Sequence, residues 1–256
     1  MTDTHESLVE RQYGDRADAY VSSKAHSEGP DLDRIEAIVR EHPSARILDL
    51  GCGGGHVAYR AAPHVAEVIA CDLLPAMLVA VEKEAARRGL ANIRTRAASA
   101  EALPFADASF DMVLCRFTAH HWRRWEAGLA EARRVMRAGG LAVFIDTLGP
   151  DDPLVDTHLQ AIELLRDTSH VRNRRADAWI AGFERNGFRV ERTASHSLSL
   201  GFASWVERMN TPSHHVAAIR SLQRGASQDV RDALAYRDDG SFAMDVGTFE
   251  AVAVDP

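Results

Sequence analysis

The chain has 256 residues, enough for one large α/β domain or a domain carrying a sizeable insertion. Apolar residues make up 46%, and 37 acidic against 30 basic side chains give a net charge of −7. That balance argues against binding nucleic acid through the whole surface, and no apolar run approaches the ~18 residues needed to span a bilayer.

Residues 7–22 show helical spacing, with Tyr13, Ala17 and Tyr20 on one face. Gly29-Pro30 breaks the pattern, Asp31 is placed to cap a helix over 32–41, and His42-Pro43 ends it. Arg46–Leu50 is the first expected strand, followed by a helix over 56–62 that stops near Pro63. Glu67–Cys71 is the second strand, and a helix over 75–88 opens on Pro75 and closes at Gly89. Ile93–Ala97 is a short strand, and the apolar run Phe110–Cys115 is a buried strand of a parallel sheet. A helix over 125–137, a turn at Gly139-Gly140 and a strand over Leu141–Asp146 complete a strand–helix alternation. Such alternation predicts a doubly wound parallel sheet with right-handed crossovers.

Beyond residue 150 the character changes. Helices are expected over 154–167 and 177–186, and an exposed strand over Arg189–Leu200. Further helical segments are expected over 202–209 and 216–236, then a final strand over Met244–Val254. With no clean linker, the chain is expected to be one domain: residues 1–42 as N-terminal lid helices, 43–150 as the core, and 151–256 as a part with helical insertions over the substrate. The apolar stripe 154–165, with Leu154, Leu159, Ile162 and Leu165, is expected to be core first; Phe202, Trp205 and Met209 can also roof an acceptor pocket.

The most informative stretch is Arg46-Ile-Leu-Asp-Leu-Gly-Cys-Gly-Gly-Gly-His56, with Asp72 closing the next strand. A strand, a glycine-rich turn, a helix start and a carboxylate on the following strand make a site for the ribose of a nucleoside-like cofactor. The dinucleotide version fails twice. His56 stands where its last glycine belongs, and Asp49, two residues before Gly51, would repel a pyrophosphate. S-adenosylmethionine, which has a sulfonium and an ammonium and no phosphate, fits both departures. Asp49 can face the cationic end and Asp72 can accept from both ribose hydroxyls.

Four segments carry a family resemblance. They are Ile47–Gly55; Ala70–Leu73 with Met77; Ala100–Phe105 followed by Ser109–Val113; and Arg133–Leu141. Together they resemble the class I S-adenosylmethionine-dependent methyltransferases. Residues 12–20, Ala119–Trp122, Asp167–Arg172 and Trp205–Met209 resemble a small-molecule branch that includes the ubiquinone/menaquinone methyltransferases and the YafE/YcgJ-like proteins. The resemblance implies a mostly parallel, seven-stranded Rossmann-like sheet. It implies S-adenosylmethionine as cofactor, S-adenosylhomocysteine as product, and a small-molecule acceptor, partly apolar. It places Asp49, Gly51 and Gly53 at the methionyl end, Asp72 on the ribose, and Leu73 and Met77 around the adenine. Ser99 and Ala100 fall where the family reads the adenine amino group; many relatives carry Asp at the position of Ser99, and a hydroxyl is the weaker acceptor. Arg116 would lie beneath the sulfonium, and Tyr20 is a lid candidate.

Methyl transfer to a proton-bearing acceptor needs a general base, and His121 or His120, after the fourth strand, are the candidates. One of the two is expected to face the pocket. His214-His215 could line the acceptor site but fits helix surface better. No metal is expected: Cys52, Cys71 and Cys115 lack ligand spacing and read as apolar fillers in a reducing compartment. The polar N-terminus adds no signal pattern, so a cytoplasmic protein, with room for a homodimer, is the expectation. Two other classes compete: a cofactor-binding module without catalysis, and an NAD-dependent oxidoreductase. Arg172 to Arg175 is expected to be a solvated helix-start surface rather than a nucleic-acid site.

Overall fold

In a computed structural model of the chain, residues 4–13 and 29–254 are described. The helices α1 (His5–Tyr13) and α2 (Pro30–Arg40) precede the sheet. The core then runs β1 (Arg46–Leu50), α3 (His56–Ala61), β2 (Glu67–Asp72), α4 (Pro75–Arg88), β3 (Ile93–Ala97), β4 (Phe110–Arg116), α5 (Trp125–Val135) and β5 (Met136–Thr147). The remainder is α6 (Pro153–Arg166), α7 (Ala176–Arg185), β6 (Phe188–Leu200), α8 (Phe202–Arg208), α9 (Ser213–Gly225), α10 (Gln228–Ala233) and β7 (Phe242–Ala253).

The seven strands form one sheet in the order β3-β2-β1-β4-β5-β7-β6. β1 to β5 pair in parallel, and β7 is antiparallel to both neighbours. This is the expected seven-stranded, mostly parallel, doubly wound sheet. The chain order reverses between β1 and β4, so the crevice for a ligand lies at their carboxyl ends.

Both faces of the inner parallel strands β1, β2 and β4 are buried, which is why they read as mainly apolar runs, while the edge strand β3 is largely exposed. Ile47, Val68, Met112 and Leu114 pack on one face beneath α2, α3 and α4. Leu48, Val113, Phe144 and Phe249 pack on the other, with Trp125, Trp179 and Phe183 from α5 and α7. Truncating a fully buried member such as Leu48 or Phe144 to alanine costs about 2–5 kcal/mol, because the lost apolar contact leaves a cavity.

A third cluster belongs to the helical insertions: Val155, Leu159 and Ile162 of α6 with Trp205, Ile219 and Val230. It rests on the far end of the β6–β7 hairpin, where Leu200 pairs with Phe242. β5 reaches only as far as Val246 of β7, so the hairpin projects past the sheet and carries these helices over the crevice.

Four local expectations need correction. Asp31 caps no helix: the N-cap of α2 is Gly29 without a side-chain hydrogen bond, and Asp31 is buried against Arg116 instead. Gly139-Gly140 is not a free turn. α5 stops at Val135, and both glycines lie inside β5 at a bulge against Asp111, where a Cβ on Gly140 would meet the Asp111 carbonyl at 2.8 Å. The helical stretch 216–236 is two helices, the second capped by the Ser227 hydroxyl. Within the 154–165 stripe, Leu154 is 53% exposed while Val155, Leu159 and Ile162 form the core.

The basic stretch is only partly solvated. Arg172 pairs with Asp156, Arg175 pairs with Asp177, and Arg174 lies over the Trp125 ring. Two of these three charges are matched by carboxylates within the chain. Among the described residues no helix is long and apolar enough to cross a membrane, and no His, Cys, Asp and Glu group could hold a metal ion.

Candidate active site

A cavity of about 1040 Å³ opens at the carboxyl ends of β1, β2 and β4 and runs to the end of β6. That volume suits two small ligands side by side. Of the residues singled out from the sequence, Asp49, Gly51, Gly53, Asp72, Leu73, Met77, Ser99, Ala100, Arg116, His120 and His121 all line it. Tyr20 lies outside the described residues. His214 and His215 do not contribute; His215 Nδ1 donates to the Leu165 carbonyl at 2.8 Å.

The glycine loop is shaped by its neighbours. The amides of Gly51 and Cys52 donate to the Cys71 carbonyl at 2.8 and 2.9 Å, which ties the loop to β2. Gly51 has φ +70°, and a Cβ there would lie 2.4 Å from the Thr118 hydroxyl, so no other residue fits. Gly53, at φ +47°, has nothing within 4 Å of the position a Cβ would take. It leaves open space on the cavity wall, where a ligand can rest against backbone.

Two carboxylates flank that space. Asp72 is at the tip of β2; its Oδ2 accepts from the Gly53 amide at 2.8 Å and its Oδ1 from the Leu74 amide at 3.0 Å. The Leu73 amide also bonds this carboxylate, which keeps lone-pair capacity for a ligand hydroxyl. Asp49 is 1% exposed, and its Oδ2 accepts from the Ala58 amide at 3.0 Å. Burial, aided by the charge of Asp72, pushes its carboxyl up to about 7 against the pull of the Ala58 bond and Arg116. A buried carboxylate with one hydrogen bond is short of positive charge, and a cation in the cavity would supply it. Ser99 lines the same end, its Oγ accepting from the Glu101 amide at 3.3 Å. Arg116 is buried against Asp31 and stacks over Phe117, so Asp31 neutralises the charge expected beneath the sulfonium.

The histidine pair sits in a single 3₁₀ turn, Ala119–His121, after β4, and both rings line the cavity. This departs from the expectation that only one would. Asp146, at the end of β5, holds His120 twice, accepting from its backbone amide at 3.0 Å and from Nδ1 at 2.6 Å. That fixes the tautomer with the proton on Nδ1 and a lone pair on Nε2. Burial alone would lower the imidazole, but the charge and hydrogen bond of Asp146 outweigh it, and the net shift is upward.

His121 is different. Its Nδ1 meets the Ser169 carbonyl at 3.1 Å and its Nε2 meets the Tyr13 hydroxyl at 3.0 Å. The Tyr13 hydroxyl in turn donates to Asp167 at 2.6 Å. Burial, with the neighbouring charge of His120, pushes His121 down to about 4. Both ring nitrogens are engaged, so His121 braces α1 and the 167–170 segment rather than presenting a free lone pair.

Sequence reasoning missed Asp146, Asp31, Glu163 and Asn173. Asp146 carried a usable signal, being an acid at the carboxyl end of a parallel strand. Glu163 and Asn173 carried none; they reach the cavity through the placement of α6 and of the segment after it.

The comparisons agree with this geometry. A methyltransferase domain family matches residues 48–144. YafE of Escherichia coli K12 is 42% identical over 196 residues, covering 77% of this chain and 95% of YafE. The uncharacterized methyltransferase YcgJ of Bacillus subtilis 168 is 32% identical over 223 residues, covering 87% of this chain and 88% of its own. The crystal structure of YcgJ superposes with a TM-score of 0.83 over 88% of this chain and 99% of that one. A solved structure from Bacillus halodurans C-125 does so with a TM-score of 0.85 at 27% identity, over 89% of this chain and 100% of that one. The chain therefore belongs to the class I S-adenosylmethionine-dependent methyltransferases, near YafE and YcgJ.

Proposed function

We propose that this methyltransferase uses S-adenosylmethionine to methylate a small-molecule acceptor by in-line displacement, with His120 as the general base. One observation carries the reading: the Asp49–Gly53–Asp72 cradle and His120, which Asp146 holds from behind, line one continuous cavity. The cradle fits the cofactor. Gly53 leaves room for it, Asp49 is a buried carboxylate that a cation would stabilise, and Asp72 retains lone-pair capacity for a ribose hydroxyl.

When bound, the cofactor supplies a methyl group that its sulfonium already makes electrophilic. The protein's part is placement, deprotonation and exclusion of water. Holding acceptor and methyl in line replaces a bimolecular encounter, an effect worth up to ~7–11 kcal/mol in favourable cases. His120 Nε2 accepts the acceptor's proton while Asp146 keeps Nδ1–H in place and stabilises the imidazolium. α1 covers the site through polar contacts. His5 Nε2 donates to the His121 carbonyl at 2.9 Å, Gln12 donates to the Met209 carbonyl at 3.0 Å, and Tyr13 bridges His121 and Asp167. α1 buries no residue fully, so it can lift for exchange of ligands.

Calorimetric titration with S-adenosylmethionine and with NAD, followed by measurement of S-adenosylhomocysteine formed from a metabolite panel, tests the reading. Binding of NAD in preference to S-adenosylmethionine would overturn it. Tight cofactor binding without turnover would favour the non-catalytic module. The free, buried cysteines Cys52, Cys71 and Cys115 agree with a reducing, cytoplasmic setting.

A further inference from the structure

The half of the cavity beyond His120 holds a poorly compensated cation. Arg166, in the last turn of α6, lines the cavity with its side chain only 14% exposed. Its Nε donates to the Trp205 carbonyl at 3.0 Å and its guanidinium lies over the Trp205 ring, 5.1 Å from the centroid. Among the described residues its one carboxylate partner is Glu163, at a long 3.4 Å. Glu163 is itself buried. Burial pushes its carboxyl up despite the nearby charges of Arg166 and His120, so it is a weak counter-ion. A buried guanidinium needs an anion with good hydrogen-bond geometry, and this one lacks it.

A second observation points the same way. Asn173 lines the cavity and is 1% exposed. Its Oδ1 accepts from the Thr147 hydroxyl at 2.6 Å, a length typical of O–H···O. Its Nδ2 is buried with no hydrogen-bond partner. Buried donors are rarely left unpaired, and this one adds an unmatched donor to a residue of the lining. Leu200 and Trp205 add an apolar wall beside these donors, and Arg208 adds a further cationic side chain to the lining.

We propose that the acceptor is an amphiphilic acid, its carboxylate seated on Arg166, its apolar body along Trp205 and Leu200, and its reacting atom toward His120. The assignment rests on the methyl-transfer reading. It sharpens the expected partly apolar acceptor by giving it a charge. An amine would meet Glu163 but would also face Arg166 and Arg208.

The test uses three probes of one shape: benzoate, benzamide and benzamidine, titrated calorimetrically into the full chain saturated with S-adenosylhomocysteine. Benzoate is expected to bind at least ~10-fold tighter than either of the others, the worth of one charge-assisted hydrogen bond. Arg166→Gln is expected to remove that preference while leaving benzamide and S-adenosylhomocysteine affinities unchanged. Equal binding of the three, a preference for benzamidine, no saturable benzoate binding, or a preference that survives Arg166→Gln would each overturn the proposal. Should Arg166→Gln fail to fold, Glu163→Gln serves instead. Tighter benzoate binding supports the proposal, and unchanged or weaker binding refutes it. If S-adenosylhomocysteine itself does not bind, the methyl-transfer reading fails separately, and the ranking of the probes on the unliganded protein still decides the acid site.

Discussion

Asp49 makes cofactor affinity depend on pH in a direction that can be worked out in advance. Its carboxyl is 1% exposed, and burial pushes it up to about 7. A cationic ligand binds the ionised form and lowers the carboxyl's pKa in the complex, so affinity rises as the pH climbs through 7. At pH 6 a group titrating at about 7 is ionised in roughly one molecule in ten, and at pH 8 in roughly nine in ten. The dissociation constant of S-adenosylmethionine should therefore fall about tenfold between pH 6 and pH 8, close to 1.4 kcal/mol. Calorimetry in two buffers of different ionisation enthalpy should also show nearly one proton released per ligand bound at pH 6. Asp49→Asn should flatten the profile and bind, at every pH, with about the acid-limb affinity of the wild type. A flat wild-type profile, or a slope that persists in Asp49→Asn, would refute the claim that this carboxylate recognises the cation.

Other outcomes follow from the same geometry. Asp72→Ala should weaken cofactor binding by about 1–3 kcal/mol by calorimetry, since it removes ribose acceptors and frees the Gly53 and Leu74 amides; unchanged affinity counts against the ribose assignment. His120→Ala should slow single turnover by ~10²–10⁴-fold with cofactor affinity retained, the usual worth of a general base, whereas His121→Ala should chiefly loosen α1 and raise amide exchange there. The reverse pattern would return the base to His121. With His120 held above the ordinary histidine value, the free base appears late, so turnover in the wild type should rise through a pH above 6.5; Asp146→Asn should remove that upward shift. Finally, the native protein should resist thiol reagents such as dithionitrobenzoate near neutral pH, because burial raises all three thiols, Cys71 to about 12. Rapid modification without unfolding would contradict that burial.

The pattern of residues along the chain determined the parallel half of this protein. Segments such as Val68–Cys71 and Met112–Cys115 are apolar at every position because both sheet faces are covered, and that signal is local. The cofactor cradle was legible for the same reason: Asp49, Gly51, Gly53 and Asp72 are fixed by a strand, a turn and the next strand, within one crossover. Even the misfit of His56 to a dinucleotide could be read locally. The tertiary structure alone decided the chemistry beside the cradle. His120 and His121 are neighbours of one residue type, and nothing local ranks them. The distinction comes from Asp146, 26 residues on, and from Tyr13 and Ser169, brought in by α1 and the segment after α6. Asp31 read locally as a helix cap, yet it caps nothing and instead pairs with Arg116, 85 positions on. Burial and ion pairing between distant segments depend on which faces meet, and a one-dimensional spacing does not encode that.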